Sequence, residues 1–243
     1  MEREARLQST TLSFQNMHEH GPLFVNLLKA RRQSFIVKNQ WALPESEGME
    51  YDQYDNPASR WIAIHEGDKV IAGVRLTPTT AKCGMYSYMI RDAQLGLLSS
   101  IPSNILNFEA PVDPDIWEAS RIFVTIDVPA RLRTQVHTMI MQGLIVSSAK
   151  EGAKTMLGLV PALWPRWIGR LGMKAEPAGP VLEMENWKSQ VALMHLPAEV
   201  IEKYGPKDGQ APTVAPQGVT YLYPPSQEDT PSFPSAPDKA NAS

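Results

Sequence analysis

The chain has 243 residues, 43% of them hydrophobic, a formal net charge of -3 and one cysteine, Cys83. This composition suits one large domain, alone or with a tail; a single cysteine excludes an intrachain disulfide and a Cys-based zinc site, and the charge gives no sign of wholesale nucleic-acid binding. No apolar run approaches the roughly 18 residues that read as a membrane span, and the charged N-terminus lacks the apolar core of a secretory signal, so a cytoplasmic protein is expected.

Residues 1–20 are polar and without a clear period, although Leu12 and Phe14 can pack locally. Gly21-Pro22 opens a helix, because proline is well placed in a first turn. From Pro22 to about Lys38, Leu27, Arg31 and Phe35 recur at four-residue steps and share a face. An arginine on that stripe either snorkels to water or needs a buried partner. Trp41 follows, then an acidic stretch, Glu45 to Asp55, read as a loop ending at Asn56-Pro57. Its carboxylates Asp52 and Asp55 are candidate partners for Arg31; their spacing does not match a calcium loop, and no metal is expected.

Trp61–His65 and Val70–Thr77 read as a hairpin joined by Glu-Gly-Asp-Lys. Alternation places Ile71, Gly73, Arg75 and Thr77 on one face of the second strand, again with an arginine among small and apolar residues. The segment from Cys83 to Asp115 holds a weak helix near Asp92–Leu98 and a proline-punctuated loop. Next comes Trp117-Glu-Ala-Ser-Arg-Ile-Phe-Val124, the run around which the chain is organised. Strict alternation puts Glu118 and Ser120 on one face and Ala119 and Arg121 on the other, so Glu118 and Arg121 can meet only across a bulge or a late strand start. The plain alternative is a strand end with a surface ion pair.

A long helix is expected from about Ala130 to Glu151, with Leu132, Val136, Met139, Ile140, Gly143, Leu144 and Ser147 on its packed stripe and Gly152 as its stop. Thr155–Val160 is almost wholly apolar, as for a strand covered on both faces. A helix from Pro161 follows, with Leu163, Trp164, Trp167, Ile168 and Leu171 inward and Gly172 at its end. Val181–Met184 and Gln190–Leu196 read as a closing antiparallel pair, and Pro197–Tyr204 as a last helix. The strand–helix–strand unit predicts a right-handed crossover between parallel strands. This order gives one α/β domain over residues 21–204, a mixed sheet with helices on both faces. From 205 to 243 Pro, Ser, Ala and Gln dominate, so a flexible tail is expected, with Val219–Tyr223 the part able to dock.

Arg31, Asp52, Asp55, Arg75, Glu118 and Arg121 are the charged residues that stand out by their surroundings, a balanced set suited to a partly buried network. With them come motifs in order: Arg31-x3-Phe35-x5-Trp41, the acidic box Glu50-Tyr-Asp-Gln-Tyr-Asp55, Arg75-Leu-Thr-Pro-Thr-Thr80, and Trp117-Glu-Ala-Ser-Arg121. Together, over about residues 24–196, these resemble the acyl-homoserine-lactone synthases, the autoinducer synthases of bacterial quorum sensing. The resemblance implies an N-acetyltransferase-like three-layer fold with a twisted mixed sheet. Like that family, Val128–Thr134 carries no glycine, which disfavours a CoA pyrophosphate cradle at a helix N-terminus.

The resemblance further implies two substrates, S-adenosyl-L-methionine and an acyl chain on acyl carrier protein, with no separate cofactor. On that reading Glu118 is the general base and Arg121 acts beside it. Phe35 and Trp41 line the adenosylmethionine pocket, where an aromatic face favours a sulfonium; packing in the core is their other reading. Arg31, Asp52, Asp55, Arg75 and Arg121 hold an N-terminal lid by ion pairs, and one arginine can take the substrate carboxylate. Ser120 hydrogen-bonds the acyl group, and amides near Ile122 and Phe123 steady the oxyanion. Met139, Leu144, Met156 and Trp164 can wall an acyl tunnel, and Arg131, Arg133, Lys150, Lys154, Arg166 and Arg170 can dock the acidic carrier. The alternatives are an N-acyltransferase that makes an uncyclised N-acyl amino acid and a non-catalytic relative.

Overall fold

A computed structural model of the chain describes residues 7–168, 173–184 and 187–207. Its main sheet is mixed and eight-stranded. Strands β1 (Gln8–Leu12), β4 (Arg60–Glu66), β5 (Lys69–Pro78) and β6 (Ile116–Val124) run antiparallel to their neighbours. Then β6 pairs in parallel with β7 (Thr155–Pro161), and β10 (Trp187–His195) runs antiparallel to β7 and carries β8 (Lys174–Pro177) and β9 (Leu182–Met184). A separate ladder of β2 (Glu45–Ser46) and β3 (Met49–Glu50) forms inside the acidic stretch, where the sequence suggests only a loop. Two other strands escape sequence reading. One is β1, too short and polar to show a period, which is fixed by its pairing to β4. The other is β8, whose Lys-Ala-Glu-Pro has no strand signal and is fixed by β10.

The pleat explains the layers. Ile62 and Ile64 of β4, with Ala72, Val74 and Leu76 of β5, join the core with Val136, Ile140 and Leu144 of α3 (Ala130–Lys150). The alternate residues Trp61 and Ala63 pack with Leu23, Leu27 and Phe35 on the opposite face, which is covered by α1 (Leu23–Arg32) and its π-helical continuation Gln33–Lys38. Farther along, Leu157 and Val191 pack with Tyr88, Met89 and Ile90 at the start of α2 (Met89–Gln94). The helices therefore lie on both faces, and the fold is the three-layer α/β arrangement. A register shift between Ile64 and His65 moves Ile71 into the α3-side core, off the face it was expected to share with Gly73 and Arg75.

The expected helix near Asp92–Leu98 lies earlier, as α2, because Leu95 and Leu97 are exposed while Tyr88, Met89 and Ile90 carry the burial. After β7 the helix α4 (Trp164–Ile168) keeps Trp164 and Ile168 inward, but Leu163 is 65% exposed, since it precedes the first turn. The last helix is α5 (Ala198–Tyr204). Gly152 ends α3 at φ 88°, a conformation in which glycine avoids the Cβ clash. Arg170, Leu171, Gly172 and the stretch from 208 on, including Val219–Tyr223, lie outside the described residues, as do the side chains of Arg166 and Trp167. Among the described residues no helix is long and apolar enough to cross a membrane.

Candidate active site

The site starts from a backbone irregularity. Phe123 pairs with Gly73 and Ser120 with Arg75, so Arg121 and Ile122 together oppose Val74 alone. This is a β-bulge, and Arg121 takes φ 54° within it. The extra residue overrides strict alternation and brings Arg121 to the side of Glu118 and Ser120. Gly73 permits the arrangement: a Cβ there would come within 2.9 Å of the Ile62 carbonyl oxygen and 3.0 Å of the Phe123 ring.

Arg121 does not meet Glu118. Its Nε donates to Glu50 Oε1 at 3.1 Å, and its Nη2 lies 2.8 Å from Asp52 Oδ2. Arg31 Nε donates to Glu50 Oε2 at 2.6 Å, and its Nη1 to Asp55 Oδ1 at 2.7 Å. Arg75 Nη1 donates to Asp52 Oδ1 at 2.5 Å and lies 3.2 Å from Asp55 Oδ1. The network is thus Arg31, Arg75 and Arg121 against Glu50, Asp52 and Asp55, drawn from α1, β5, β6 and the acidic stretch. Arg31 and Arg75 are essentially inaccessible, which excludes snorkelling. Burial alone would raise Asp52 and Asp55, but Arg75 with Arg121, and Arg75 with Arg31, hold the two carboxyls below the ordinary carboxylate range.

Glu50 is the member that sequence reading missed. It lies in the acidic box yet is fully buried, and the two arginines that share it come from α1 and β6. The available signal was arithmetic: with Glu118 outside the network, three guanidiniums need a third carboxylate. Glu118 is also fully buried, so the surface-ion-pair alternative fails. Its Oε1 accepts from Ile90 N at 2.7 Å and its Oε2 from Met89 N at 3.2 Å. Burial pushes the carboxyl up; the two amides and Arg75 oppose this, and the balance leaves it at about 7. A carboxylate poised near neutrality can take up and release a proton at working pH.

Ser120 Oγ accepts from Arg75 Nε at 3.1 Å, which leaves its hydroxyl proton for another acceptor. Phe35 and Trp41 stack with centroids 5.0 Å apart, Phe123 meets Phe35 edge-on at 5.9 Å, and the Arg121 guanidinium lies 5.9 Å from the Phe35 centroid. All ten sequence-derived site residues therefore gather on one side of β5 and β6. Met139, Leu144, Met156 and Trp164 fall in the α3-side core instead. Arg131, Arg133, Lys150 and Lys154 are exposed, and Lys154 pairs with Asp115. Among the described residues no group of three or more His, Cys, Asp or Glu is placed to hold a metal ion.

Two neighbouring strands part beside these groups. β6 and β7 pair only from Ile116–Thr155 to Glu118–Leu157; beyond that point β6 follows β5 and β7 follows β10. Glu118 stands at the fork.

Residues 15–204 match the family described as autoinducer synthase. The chain belongs to this family. The acyl-homoserine-lactone synthase of Ralstonia nicotianae is 30% identical over 157 residues, which cover 62% of this chain and 71% of that protein. The isovaleryl-homoserine lactone synthase of Bradyrhizobium diazoefficiens is 24% identical over 208 residues, covering 85% and 88%. Among solved structures, a CoA-dependent acyl-homoserine lactone synthase with SAM and isopentyl-CoA superposes with a TM-score of 0.65 at 22% identity, covering 82% of this chain and 88% of that one. The family assignment makes the protein an acyltransferase that synthesises acyl-homoserine lactones.

Proposed function

We propose that this synthase joins S-adenosyl-L-methionine to an acyl thioester at the fork between β6 and β7, with Glu118 as the general base. The observation that carries this reading is a fully buried carboxyl, balanced at about 7 and held by two amides, where those strands part. The α-amine must lose a proton to attack, and Glu118 accepts it, directly or through a water. The amine nitrogen bonds to the acyl carbon and the oxyanion collapses. The C–S bond breaks, and the thiol leaves with the proton returned.

The substrate carboxylate oxygen then attacks its own γ carbon. The carbon–sulfur bond of the sulfonium breaks, methylthioadenosine leaves as a neutral thioether, and the lactone ring closes. Because the sulfonium leaves readily, this step chiefly requires the substrate to be held folded. No separate cofactor enters the balance.

The other groups take supporting roles. The Phe35–Trp41 stack offers aromatic faces to the adenosyl and sulfonium end. The Ser120 hydroxyl proton is free to bond the acyl carbonyl or a 3-substituent, and amides of β6 near Ile122 and Phe123 steady the oxyanion. Arg31, Asp52, Asp55, Arg75 and Arg121 fasten α1 and the acidic stretch over the site, with Arg121, the most exposed of the three arginines, nearest to a substrate carboxylate. Acyl carrier protein is our favoured donor, on the exposed Arg131, Arg133, Lys150 and Lys154 and the absence of glycine from Val128–Thr134. The CoA-dependent relative supports CoA as the second reading. A cytoplasmic location fits both donors.

The test is a product balance. Purified enzyme is supplied with S-adenosylmethionine and an acyl chain on carrier protein or on CoA. Equimolar methylthioadenosine and N-acyl-homoserine lactone are expected. Acyl transfer without methylthioadenosine would instead mark an uncyclised N-acyl amino acid as the product, and the faster thioester identifies the donor.

A further inference from the structure

Glu118 does not touch the ionic network, yet the two are joined by a chain of hydrogen bonds that the proposed reaction does not use. Tyr54 lies inside the acidic box. Its amide donates to Asp52 Oδ1 at 2.9 Å, and its carbonyl accepts from Ser59 Oγ at 2.6 Å. Its ring lies under the Arg75 guanidinium, 5.5 Å from centroid to Cζ. Its hydroxyl reaches the other way and donates to Asp92 Oδ2 at 3.0 Å. Asp92 is fully buried, with no guanidinium or ammonium among its hydrogen-bond partners in the described residues. It accepts the Ser87 amide at 2.9 Å and the Ser87 hydroxyl at 2.5 Å, which fixes the entry into α2. The amides of Met89 and Ile90, just beyond Tyr88, are the donors that hold Glu118.

We propose that Tyr54 and Asp92 are positioning residues for Glu118, tying the acidic stretch to the amides that hold the base. The proposal rests on the reading of Glu118 as that base. A buried carboxyl is costly to keep unless it is well hydrogen-bonded, and Asp92 is held by three donors. Here it orders two peptide groups that would otherwise sit at a fraying helix start. The coupling has a functional sense: when Asp52 and Asp55 are locked by Arg75, Tyr54 is held, and Glu118 is kept at the fork with both its donors.

Other groups also face Glu118: Arg75 from β5, Asp52 and Tyr54 from the acidic stretch, and Tyr88 from the turn before α2. If the amides drift from Glu118, the charged form loses its hydrogen bonds and the proton is held more tightly. The acid limb of the rate profile must then move to higher pH.

Tyr54→Phe removes one hydroxyl and keeps the ring against Arg75. Asp92→Asn keeps one acceptor oxygen and replaces the other with an –NH2 donor. Both are assayed as the full chain, with folding checked by circular dichroism, beside Glu118→Gln, using octanoyl thioesters of carrier protein and of CoA. In Tyr54→Phe the acid limb of kcat/KM is expected to rise by roughly half to one pH unit, with the high-pH plateau kept within about threefold. Asp92→Asn should shift it less than Asp92→Ala does. Uniform slowing with an unmoved limb in Tyr54→Phe and Asp92→Asn would overturn the positioning role. Wild-type turnover by Glu118→Gln would remove the base itself, a failure separate from the first.

Discussion

Two groups of buried carboxyls lie side by side in this protein and behave in opposite ways. Glu50, Asp52 and Asp55 face full positive charges on Arg31, Arg75 and Arg121, and Asp52 and Asp55 are held in the ionised form. Glu118 is equally buried but its hydrogen bonds come from backbone amides, and it rests at about 7. The difference teaches that partner type, not burial, sets the role. A guanidinium supplies a whole charge and locks a carboxylate as structure; an amide supplies a dipole that only offsets part of the desolvation. The locked set suits a lid that must stay closed, and the balanced carboxyl suits proton transfer.

The comparison breaks most sharply at Arg31. Arg31→Ala leaves Glu50 and Asp55 each short of a buried partner, so a loss of about 3–5 kcal/mol is expected, read by urea unfolding, together with loss of turnover. Wild-type stability would mean that the network does not hold the N-terminal elements. Glu118→Gln tests the other side. It leaves one α2 amide facing an –NH2 group, at a cost of about 1–3 kcal/mol, while turnover should fall by about 10²-fold or more. Unchanged turnover would take Glu118 out of the mechanism.

Smaller effects sharpen the contrast. Glu50→Gln keeps the shape but strips one charge from between Arg31 and Arg121, so about 1.5–3 kcal/mol of stability should go, with the pH profile of catalysis unmoved. A displaced profile would show that the two groups are electrically one. Finally, Asp52 and Asp55 have folded-state pKa values below the 3.8 of the unfolded chain. Their stabilisation is full above that value and is lost as pH falls from it toward the folded values, because the unfolded chain takes up protons first. Thermal melts should therefore decline below about pH 4 and flatten when either Asp is replaced by Asn.

Much of the site was legible before any coordinates. Arg31 and Arg75 stood out on apolar stripes, Arg31 either snorkelling or needing a partner, and both are buried and paired. A bulge or a late strand start was one condition for Glu118 to meet Arg121; the bulge is there, but the two do not meet, and it serves Arg121 and Glu50 instead. Glu50 escaped because a glutamate in an acidic run looks solvated until a strand pair folds it inward. Asp92 escaped because its partner Tyr54 lies 38 positions away.

By itself the sequence determined the periodic elements, since α1, the β4–β5 hairpin, α3 and β7 carry their hydrophobic repeat locally, and it set down the charged residues in family order. The tertiary structure alone decided which carboxylate answers which arginine, which face Ile71 takes, and that Glu118 meets amides instead of a guanidinium. The physical reason is range. Periodicity is written within a few residues, whereas a buried charge is settled by groups that folding brings together across tens of positions, 71 in the case of Arg121 and Glu50.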